Sequence, residues 1–211
     1  MDFTTVIVSF KSFHLVENHI KNIGEENKII IIENSLDKNL KINIEKNYPN
    51  VTVIIPETNL GYGKALNLGI ERSSTKFVFC MVADIDISKD CFLNIGSILN
   101  NFDDFSLIAP TYFDESIYKN YTLKTKESKN FKILQFLIKE VDEIDGAIMI
   151  INKEKFFTKN ILDEKIFLYF ENTDLCLRLR KNNQKIYVVD NLKFKHLGRQ
   201  SSHPKYYKEI M

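Results

Sequence analysis

The chain has 211 residues, and its 29 Lys and Arg nearly cancel its 28 Asp and Glu, which leaves a formal net charge of +1. Nucleic-acid-binding domains carry a strongly basic surface, so this balance excludes nucleic acid as an expected partner. A chain of this length buries enough surface to fold as one domain, residues 1–211, without a disulfide or a structural metal.

The cysteines and the apolar segments predict a cytoplasmic protein. Cys80, Cys91 and Cys176 are an odd number without a close pair, so we expect reduced thiols in the core. The amino terminus carries Asp2 in place of a basic segment, and its apolar run is too short for a signal peptide. No stretch reaches the ~20 apolar residues that cross a bilayer, so any membrane contact is expected to be peripheral.

Four short β-branched runs alternate with helix-length segments in the first part of the chain. They lie at residues 4–10, 28–33, 51–55 and 76–83. Nearly continuous apolar strands of this kind are covered on both faces, which is typical of βαβ units and a mainly parallel sheet. The sequence therefore predicts an α/β domain.

Two helices and a further strand are predicted next. Residues 59–74 open with a glycine-bearing turn and continue as a helix with apolar residues four apart. Residues 88–102 form a second predicted helix, for which Ser88 is the expected N-cap. The run 105–110 is a strand that ends at a proline.

The remaining part of the chain is less regular. Between residues 111 and 141 no hydrophobic period is sustained, so we interpret this stretch as a variable insertion or a flexible excursion. Order returns in 145–156, a predicted strand that runs into a short helix. Residues 167–190 then predict a helix followed by a strand.

Two acids, Asp84 and Asp86, follow directly after the strand at 76–83. Ligands collect at the carboxyl ends of parallel strands, and residues two apart in an extended segment project to the same side. Mg²⁺ and Mn²⁺ prefer oxygen ligands and commonly use one or two carboxylates together with substrate phosphates. An isolated pair of this kind is more often a solvated strand end, so the interpretation as a metal site depends on the accompanying motifs.

Several motifs accompany the acid pair. In chain order the set is VIVSFKS (6–12), IIIENS (30–35), NLGYGKALNLGI (59–70), ADID (83–86), DGAIMII (145–151), FLYFENTDLCLRLRK (167–181) and HLGRQSS (196–202). In order and spacing this set resembles the family 2 glycosyltransferases with a GT-A fold, and most of all bacterial rhamnosyltransferase-like members. The resemblance runs from about residue 4 to 202. It implies a Rossmann-like three-layer sandwich with a mixed, mainly parallel sheet, in which about 1–110 bind the nucleotide sugar and about 111–211 form the acceptor side.

The resemblance implies a set of residues that line the nucleotide pocket. These residues are Ser9, Glu33, Asn59, Gly61, Lys64 and Asp84. Glu33 would accept a hydrogen bond from the edge of a pyrimidine base, although a helix-cap or turn acid explains it equally well. Gly61 is also explained without a ligand if its turn needs a positive φ.

The resemblance also implies a metal site and a sugar site. Asp84 and Asp86 would hold Mg²⁺ or Mn²⁺ on the diphosphate of the donor, where a cation stabilises the charge of the leaving group. His196 matches a third ligand in some relatives, although a lone histidine after a strand is more often a surface or core residue. Asp145 would lie near the donor or acceptor hexose, and Gly146 would allow its close approach.

The ENTD motif would supply the catalytic base. In an inverting transfer a carboxylate takes the proton of the attacking hydroxyl. Relatives often have Glu-Asp at the first two positions, whereas this chain has Glu171 and Asn172, so the base must be Glu171 or Asp174. Glu171 is favoured because it lies nearest to the strand end that faces the cleft. Acids here would also stabilise the start of a helix, and both interpretations are compatible.

The expected function is a metal-dependent, inverting transfer of a hexose or deoxyhexose, with rhamnose as one candidate. The donor would be a nucleoside-diphosphate sugar, and the acceptor a surface polysaccharide or a lipid-linked glycan at the inner membrane face. Asn172 leaves open a catalytically weakened sugar-nucleotide-binding module. A nucleotidyltransferase is a further alternative, although the usual glycine-rich phosphate loop is absent from the first part of the sequence.

Overall fold

A computed structural model describes residues 3–113, 119–123 and 129–197. Its strands are β1 (Phe3–Ser9), β2 (Lys28–Glu33), β3 (Val51–Ile54), β4 (Phe77–Val82), β5 (Ile85–Asp86), β6 (Leu107–Tyr112), β7 (Tyr121–Leu123), β8 (Asn130–Ile133), β9 (Phe136–Ile144), β10 (Ile148–Asn152) and β11 (Ile186–His196). Its α-helices are α1 (Phe13–Ile23), α2 (Lys38–Asn47), α3 (Tyr62–Arg72), α4 (Lys89–Asn101) and α5 (Glu171–Lys181). No helix within the described ranges is long and apolar enough to span a membrane.

The sheet has the order β3-β2-β1-β4-β10-β6-β11-β9-β7, and its first four strands all pair in parallel. Within these strands the side chains alternate between two apolar cores. In β1, Ile7 packs into one core, while Val6 and Val8 pack into the other. The predicted βαβ half is therefore confirmed: β1, β2 and β4 are buried on both faces, and the edge strand β3 is buried on one.

Helices cover the two faces of the sheet. On one face α1, α2 and α4 contribute apolar side chains such as Ile20, Ile44 and Phe92. On the other face α3 and α5 contribute side chains such as Leu66 and Leu175. The structure is thus a three-layer α/β arrangement with a mixed sheet.

The second half of the sheet is mostly antiparallel. β10 runs antiparallel to both β4 and β6, and β9 runs antiparallel to β7, β8 and β11. The interpretation of 111–141 as a loose excursion is wrong for its described part, which holds β7, β8 and most of β9. These strands carry many polar residues on their exposed faces, so their apolar period is weak. Residues 114–118 and 124–128 lie outside the described ranges.

Local signals for the start of α4 agree with the structure. The Ser88 hydroxyl accepts a hydrogen bond from the Cys91 amide at 3.2 Å, so the predicted N-cap is confirmed. Such caps satisfy one of the amide groups that the first helical turn leaves without a partner. The cap therefore fixes the start of α4 directly after the segment that contains Asp84 and Asp86.

The three cysteines are buried and form no disulfide, as predicted. Burial raises the pKa of the Cys91 thiol to about 12 and that of the Cys176 thiol to about 11, and it raises the pKa of Cys80 further. These thiols therefore act as small apolar side chains rather than as nucleophiles.

Candidate active site

A cavity of about 690 Å³ opens at the carboxyl ends of the parallel strands. Its lining comes from the ends of β1 and β2, the turn after β4 and the start of α3. The later part of the chain contributes residues 143, 145–147 and 167–173 and His196. Cavities of this volume accommodate small-molecule ligands and cofactors.

The first acid of the predicted pair lies in this cavity. Asp84 is only 1% exposed, and its Oδ1 is 3.4 Å from Nε2 of His196. This contact forms because Ile85 pairs with His196 in the antiparallel β5–β11 ladder. The neighbouring Asp84 raises the pKa of His196 above its ordinary value. The structure thus joins two of the predicted metal ligands.

The second acid has a different environment. Asp86 is exposed and is not among the residues that line the cavity. The expectation that both carboxylates project to one side assumed an extended segment, whereas Ala83 and Asp84 form a turn between β4 and β5. The turn removes the two-residue period on which that argument depends. Asp86 pairs with Lys195 in the β5–β11 ladder, so its backbone still lies next to that of His196.

Side chains from α1 hold the acid-bearing turn. Nε2 of His19 lies 2.6 Å from the carbonyl oxygen of Ala83, and Nδ2 of Asn22 donates to the carbonyl of Ile87 at 3.1 Å. His19 is buried, and this burial lowers its pKa. The two contacts fix the backbone on both sides of the segment that contains Asp84 and Asp86. They were not predicted, because nothing in the sequence pairs α1 with this turn.

A network of side chains connects Asp84 to Asp145 through His196. The Tyr112 hydroxyl lies 3.3 Å from Nδ1 of His196 and 3.5 Å from Oδ2 of Asp145. The other carboxylate oxygen of Asp145 accepts a hydrogen bond from the Ala147 amide at 2.7 Å. Tyr112 was missed because it begins the stretch that was interpreted as irregular.

The residues present fit a divalent cation that is shared with a phosphate ligand. No group of three His, Cys, Asp or Glu side chains in the described part of the chain is assembled to hold a metal alone. Asp84 is nevertheless a buried carboxylate facing the cavity, with the His196 imidazole beside it. One or two protein ligands are enough for Mg²⁺ or Mn²⁺ when substrate phosphates supply the remaining oxygens.

Glu171 is the second buried acid of the cavity. It is the first residue of α5 and is 5% exposed. Its Oε2 has no hydrogen-bond partner among the described residues, and burial raises its pKa, with a further contribution from the negative charge of Asp145. A Cβ added at Gly146 would lie 3.2 Å from Cβ of Asn172 and 3.4 Å from Oε1 of Glu171, so this glycine allows its backbone to lie close to the start of α5.

Asp174 is directed away from the cavity. Both Nε and Nη2 of Arg178 lie 2.8 Å from its Oδ2, which forms an ion pair along the surface of α5. Arg178 also donates to the carbonyl of Ile161 at 2.8 Å. Asp174 is not among the cavity residues, so of the two candidate bases only Glu171 reaches the cavity.

The position corresponding to the usual second acid has a structural contact. Nδ2 of Asn172 donates to the carbonyl of Ile144 at 2.9 Å, and the next residue, Thr173, donates to Glu143. These bonds tie the start of α5 to the end of β9. Asn172 therefore fixes the position of Glu171 relative to the end of β9.

Ser9 and Glu33 lie side by side at the ends of β1 and β2, where they are register partners. Both are fully buried, and Ser9 Oγ and Glu33 Oε2 have no hydrogen-bond partner among the described residues. The other oxygen of Glu33 accepts hydrogen bonds from the amide and hydroxyl of Ser35. Neither residue lines the cavity directly, but their chain neighbours Val8 and Asn34 do.

Asn59 and Gly61 line the cavity at the start of α3, whereas Lys64 is exposed and does not. Gly61 has φ +73°, and a Cβ there would lie 2.1 Å from the carbonyl oxygen of Phe167. The glycine is therefore required both by its backbone conformation and by the close approach of the 167 segment. Asn34, which was not predicted as a site residue, fixes this loop by donating to the Gly61 carbonyl at 3.0 Å.

Comparison with known proteins identifies one family for most of the chain. The sequence profile described as Glycosyl transferase family 2 matches residues 6–158. A protein of Haloferax volcanii named low-salt glycan biosynthesis hexosyltransferase Agl10 is 24% identical over 195 residues, which are 86% of this chain and 62% of that protein. The chain thus spans less than two thirds of this curated relative.

Solved structures share the fold at low sequence identity. The mannosyltransferase PcManGT from Pyrobaculum calidifontis, in complex with GDP-Man and Mn²⁺, superposes with a TM-score of 0.69 at 10% identity and covers 95% of this chain and 58% of its own. TarS 1-349 from S. aureus, in complex with UDP, gives a TM-score of 0.66 at 18% identity, with 92% and 59% covered.

Proposed function

The chain belongs to the family 2 glycosyltransferases and has their GT-A fold, as its motifs predict, and from this premise we propose that it transfers a hexose or deoxyhexose from a nucleoside-diphosphate sugar to a glycan acceptor. The observation that carries the proposal is the pair of buried carboxylates, Asp84 and Glu171. They come from distant parts of the chain and line the same cavity.

The nucleotide is assigned to the ends of β1 and β2. Ser9 and Glu33 each keep a buried oxygen without a partner among the described residues, and buried polar groups normally have one. A base edge or a ribose hydroxyl entering past Asn34 and Asn59 would supply the missing hydrogen bonds. The proposal leaves Lys64 without a direct role, because this residue is exposed on the outside of α3.

The diphosphate is assigned to the part of the cavity beside Asp84 and His196. These two residues would hold Mg²⁺ or Mn²⁺, and the exposed Asp86 carboxylate remains a candidate ligand at the adjacent β5 strand. A cation bound there would neutralise the charge that develops on the leaving diphosphate. The buried position of Asp84 strengthens such electrostatic interactions, because little water screens them.

Glu171 is assigned as the base of an inverting displacement. Its free oxygen takes the proton of an acceptor hydroxyl, while that hydroxyl oxygen forms a bond to the anomeric carbon of the donor. The bond from the anomeric carbon to the diphosphate oxygen breaks, and the nucleoside diphosphate leaves with the electron pair. A carboxylate whose pKa is raised by burial is a better proton acceptor at neutral pH than an ordinary one.

The acceptor is assigned to the part of the cavity bordered by residues 167–173. A surface polysaccharide or a lipid-linked glycan fits the proposal, since the similar Haloferax protein is named for glycan biosynthesis. Rhamnose is one of the deoxyhexoses to be tested as the donor sugar.

Thermal unfolding with nucleoside diphosphates tests the proposal. UDP, GDP and dTDP are added with and without Mn²⁺, and a ligand at a hundred times its dissociation constant should stabilise the protein by ~2.7 kcal/mol. The stabilising nucleotide then selects the sugar donors for assays of transfer and hydrolysis. Binding without any turnover would favour the weakened module, and a requirement for a nucleoside triphosphate would favour a nucleotidyltransferase. Absence of stabilisation by every nucleoside diphosphate would contradict the proposal.

A further inference from the structure

Two exposed aromatic side chains lie in the cavity directly before α5. Tyr169 is 56% exposed and Phe170 is 74% exposed, and both contribute to the lining of the cavity. Large apolar side chains that cluster at the surface of a soluble protein commonly mark a binding site. These rings therefore need an explanation other than packing in the core.

The backbone at both positions is strained. Tyr169 has φ +68° and Phe170 has φ +69°, in the left-handed region that glycine and asparagine tolerate best. For a bulky residue a positive φ is a clear outlier, and here two such residues follow each other. Strained residues of this kind cluster at ligand-binding sites, where the surrounding structure enforces the conformation.

Phe170 also breaks the rule for the start of a helix. It occupies the N-cap position of α5, where Asn, Asp and Ser are preferred, and it provides no side-chain cap. Its carbonyl accepts the first helical hydrogen bond from Asp174 at 2.9 Å, so the helix start itself is regular. Exposure, φ and the cap position all favour asparagine at 170. A residue that violates three local preferences while lining a cavity indicates a functional constraint.

The polar groups beside the rings indicate what the rings bind. Glu171, Asn172 and Thr173 line the same cavity directly after Phe170. A pyranose ring combines an apolar C–H face with a rim of hydroxyl groups, so it can contact aromatic faces and these polar groups at the same time. A purely apolar ligand, such as an acyl chain, would bury Glu171 without a partner, which is costly.

We propose that Tyr169 and Phe170 form an aromatic platform that stacks against the pyranose ring of the acceptor and directs one of its hydroxyl groups toward Glu171. This assignment rests on the proposed function, because it presumes that Glu171 receives the proton of the acceptor. It adds the residue pair that binds and orients the sugar ring of the proposed glycan acceptor.

The absence of tryptophan from the chain allows a direct test. Phe170→Trp keeps an aromatic face and places the protein's sole indole on the platform. Phe170→Asn removes the ring and satisfies the local preferences. Phe157→Asn is the matched control, because Phe157 is 99% exposed and does not line the cavity. The probes are methyl hexopyranosides, with glycerol and hexanol as polyol and alkyl controls, in the presence of Mn²⁺ and the stabilising nucleoside diphosphate.

Methyl hexopyranosides should change the indole emission of Phe170→Trp, whereas glycerol and hexanol should not. Phe170→Asn should raise the acceptor KM about five- to tenfold, which is the usual size of one aromatic contact, with an unchanged melting temperature or a higher one. Phe157→Asn should change neither quantity. Donor affinity should be the same in all variants.

Failure of this inference differs from failure of the proposed function. If no nucleoside diphosphate stabilises the unmodified protein, the proposed function is contradicted, and so is the aromatic platform that rests on it. If donor binding is intact but glycosides leave the indole emission and the acceptor KM of Phe170→Asn unchanged, only the platform is refuted. A response to hexanol instead of glycosides would also overturn it, as would a lower melting temperature of Phe170→Asn with an unchanged KM, which would show a structural role.

Discussion

The two buried carboxylates of the cavity have opposite electrostatic surroundings. Asp84 has the imidazole of His196 at 3.4 Å, and its charge raises the pKa of that histidine. Glu171 keeps one oxygen without a partner among the described residues, and burial raises the pKa of Glu171 itself. A carboxylate beside an imidazole is suited to an ionised role when that ring is protonated, whereas a carboxylate that is desolvated by burial is suited to taking up a proton.

The fold also positions the two acids by different means. Asp84 lies in a turn that is fixed by sheet pairing with β11 and by the His19 and Asn22 side chains of α1. Glu171 lies at a helix start that follows two strained residues and is tied to β9 through Asn172. The side of the cavity that carries Asp84 is thus held by contacts from α1 and β11, while the side that carries Glu171 has strained backbone next to exposed aromatic rings. We expect the first to define the donor and the second to define the acceptor.

The largest effect is expected for Glu171→Gln. The amide keeps the shape of the side chain but cannot accept a proton from the acceptor, so kcat should fall by about 10²–10⁴. Donor affinity, measured by thermal shift, should be unchanged. Asp174→Asn is the matched control, and it should lose only the stability of an exposed helical ion pair, ~0.3–0.5 kcal/mol. If transfer survives in Glu171→Gln but is abolished in Asp174→Asn, Asp174 and not Glu171 is the base.

The next effect in size is expected for Asp84→Asn. Loss of this charge should weaken Mn²⁺ binding in the presence of nucleoside diphosphate by about 10- to 100-fold, since loss of a charge-assisted interaction commonly costs about 1.5–3 kcal/mol. The pKa of His196 should also fall, because Asp84 is the main cause of its raised value. Titration of the His196 ring by NMR provides this second measurement. An unchanged His196 titration would show that the contact does not persist in solution.

Asp86→Ala tests whether the exposed acid belongs to the same site. The sequence motif predicts that Asp86 binds the metal, so its loss should also weaken Mn²⁺ binding in the presence of nucleoside diphosphate, by less than the loss of Asp84 because Asp86 is exposed. Asp90→Ala removes an equal charge from the exposed first turn of α4 and should have no such effect. Equal results for the Asp86 and Asp90 variants would restrict the metal site to Asp84 and His196.

Gly61→Ala tests the contact between the start of α3 and the segment 167–173. The new Cβ would clash with the Phe167 carbonyl and would strain the backbone at φ +73°, so the free energy of unfolding should fall by about 1–3 kcal/mol. Gly63→Ala is the control, because a Cβ at this position of α3 would meet Cβ of Glu171 and Cβ of Leu162 at an ordinary contact distance of 3.5 Å, and alanine favours the helix. Urea unfolding measures both. Similar stabilities of the two variants would contradict the close approach of the 167 segment to α3.

The first half of the fold was predictable because its strands are short β-branched runs, three of which are buried on both faces. Observed bounds of β1 to β4 differ from the predicted ones by one residue at most. The strands after residue 111 were missed because they alternate apolar and polar residues over short lengths, and β8 has only four residues. Such strands are held by pairing with β9 and β11, which is a long-range property that no local window contains.

The sequence motifs indicate which residues belong to the candidate site, but not which way each side chain points. Asp84, Asp145, Glu171 and His196 are far apart in the sequence, and all four line one cavity. Lys64 and Asp174 do not line the cavity, because both lie on outward faces of helices. The spacing of Asp174 and Arg178, four residues apart, is the signal that could have revealed their ion pair. Tyr112 and His19 could not be found, because their contacts depend on tertiary packing.

The smallest expected effect concerns stability as a function of pH. Burial raises the pKa of Glu171 in the folded state, so between its ordinary pKa and the raised value the folded protein binds more protons than the unfolded one. The contribution of Glu171 to stability therefore falls as pH rises through this window, and it is least favourable at neutral pH. Glu171→Gln has no such charge, so its melting temperature should increase relative to that of the unmodified protein as pH rises from 4 to 7. Asp90→Asn changes an exposed acid and should show no comparable trend. If the difference in melting temperature between Glu171→Gln and the unmodified protein stays constant from pH 4 to 7, the Glu171 carboxylate is not desolvated. The two acids would then not differ in their electrostatic surroundings.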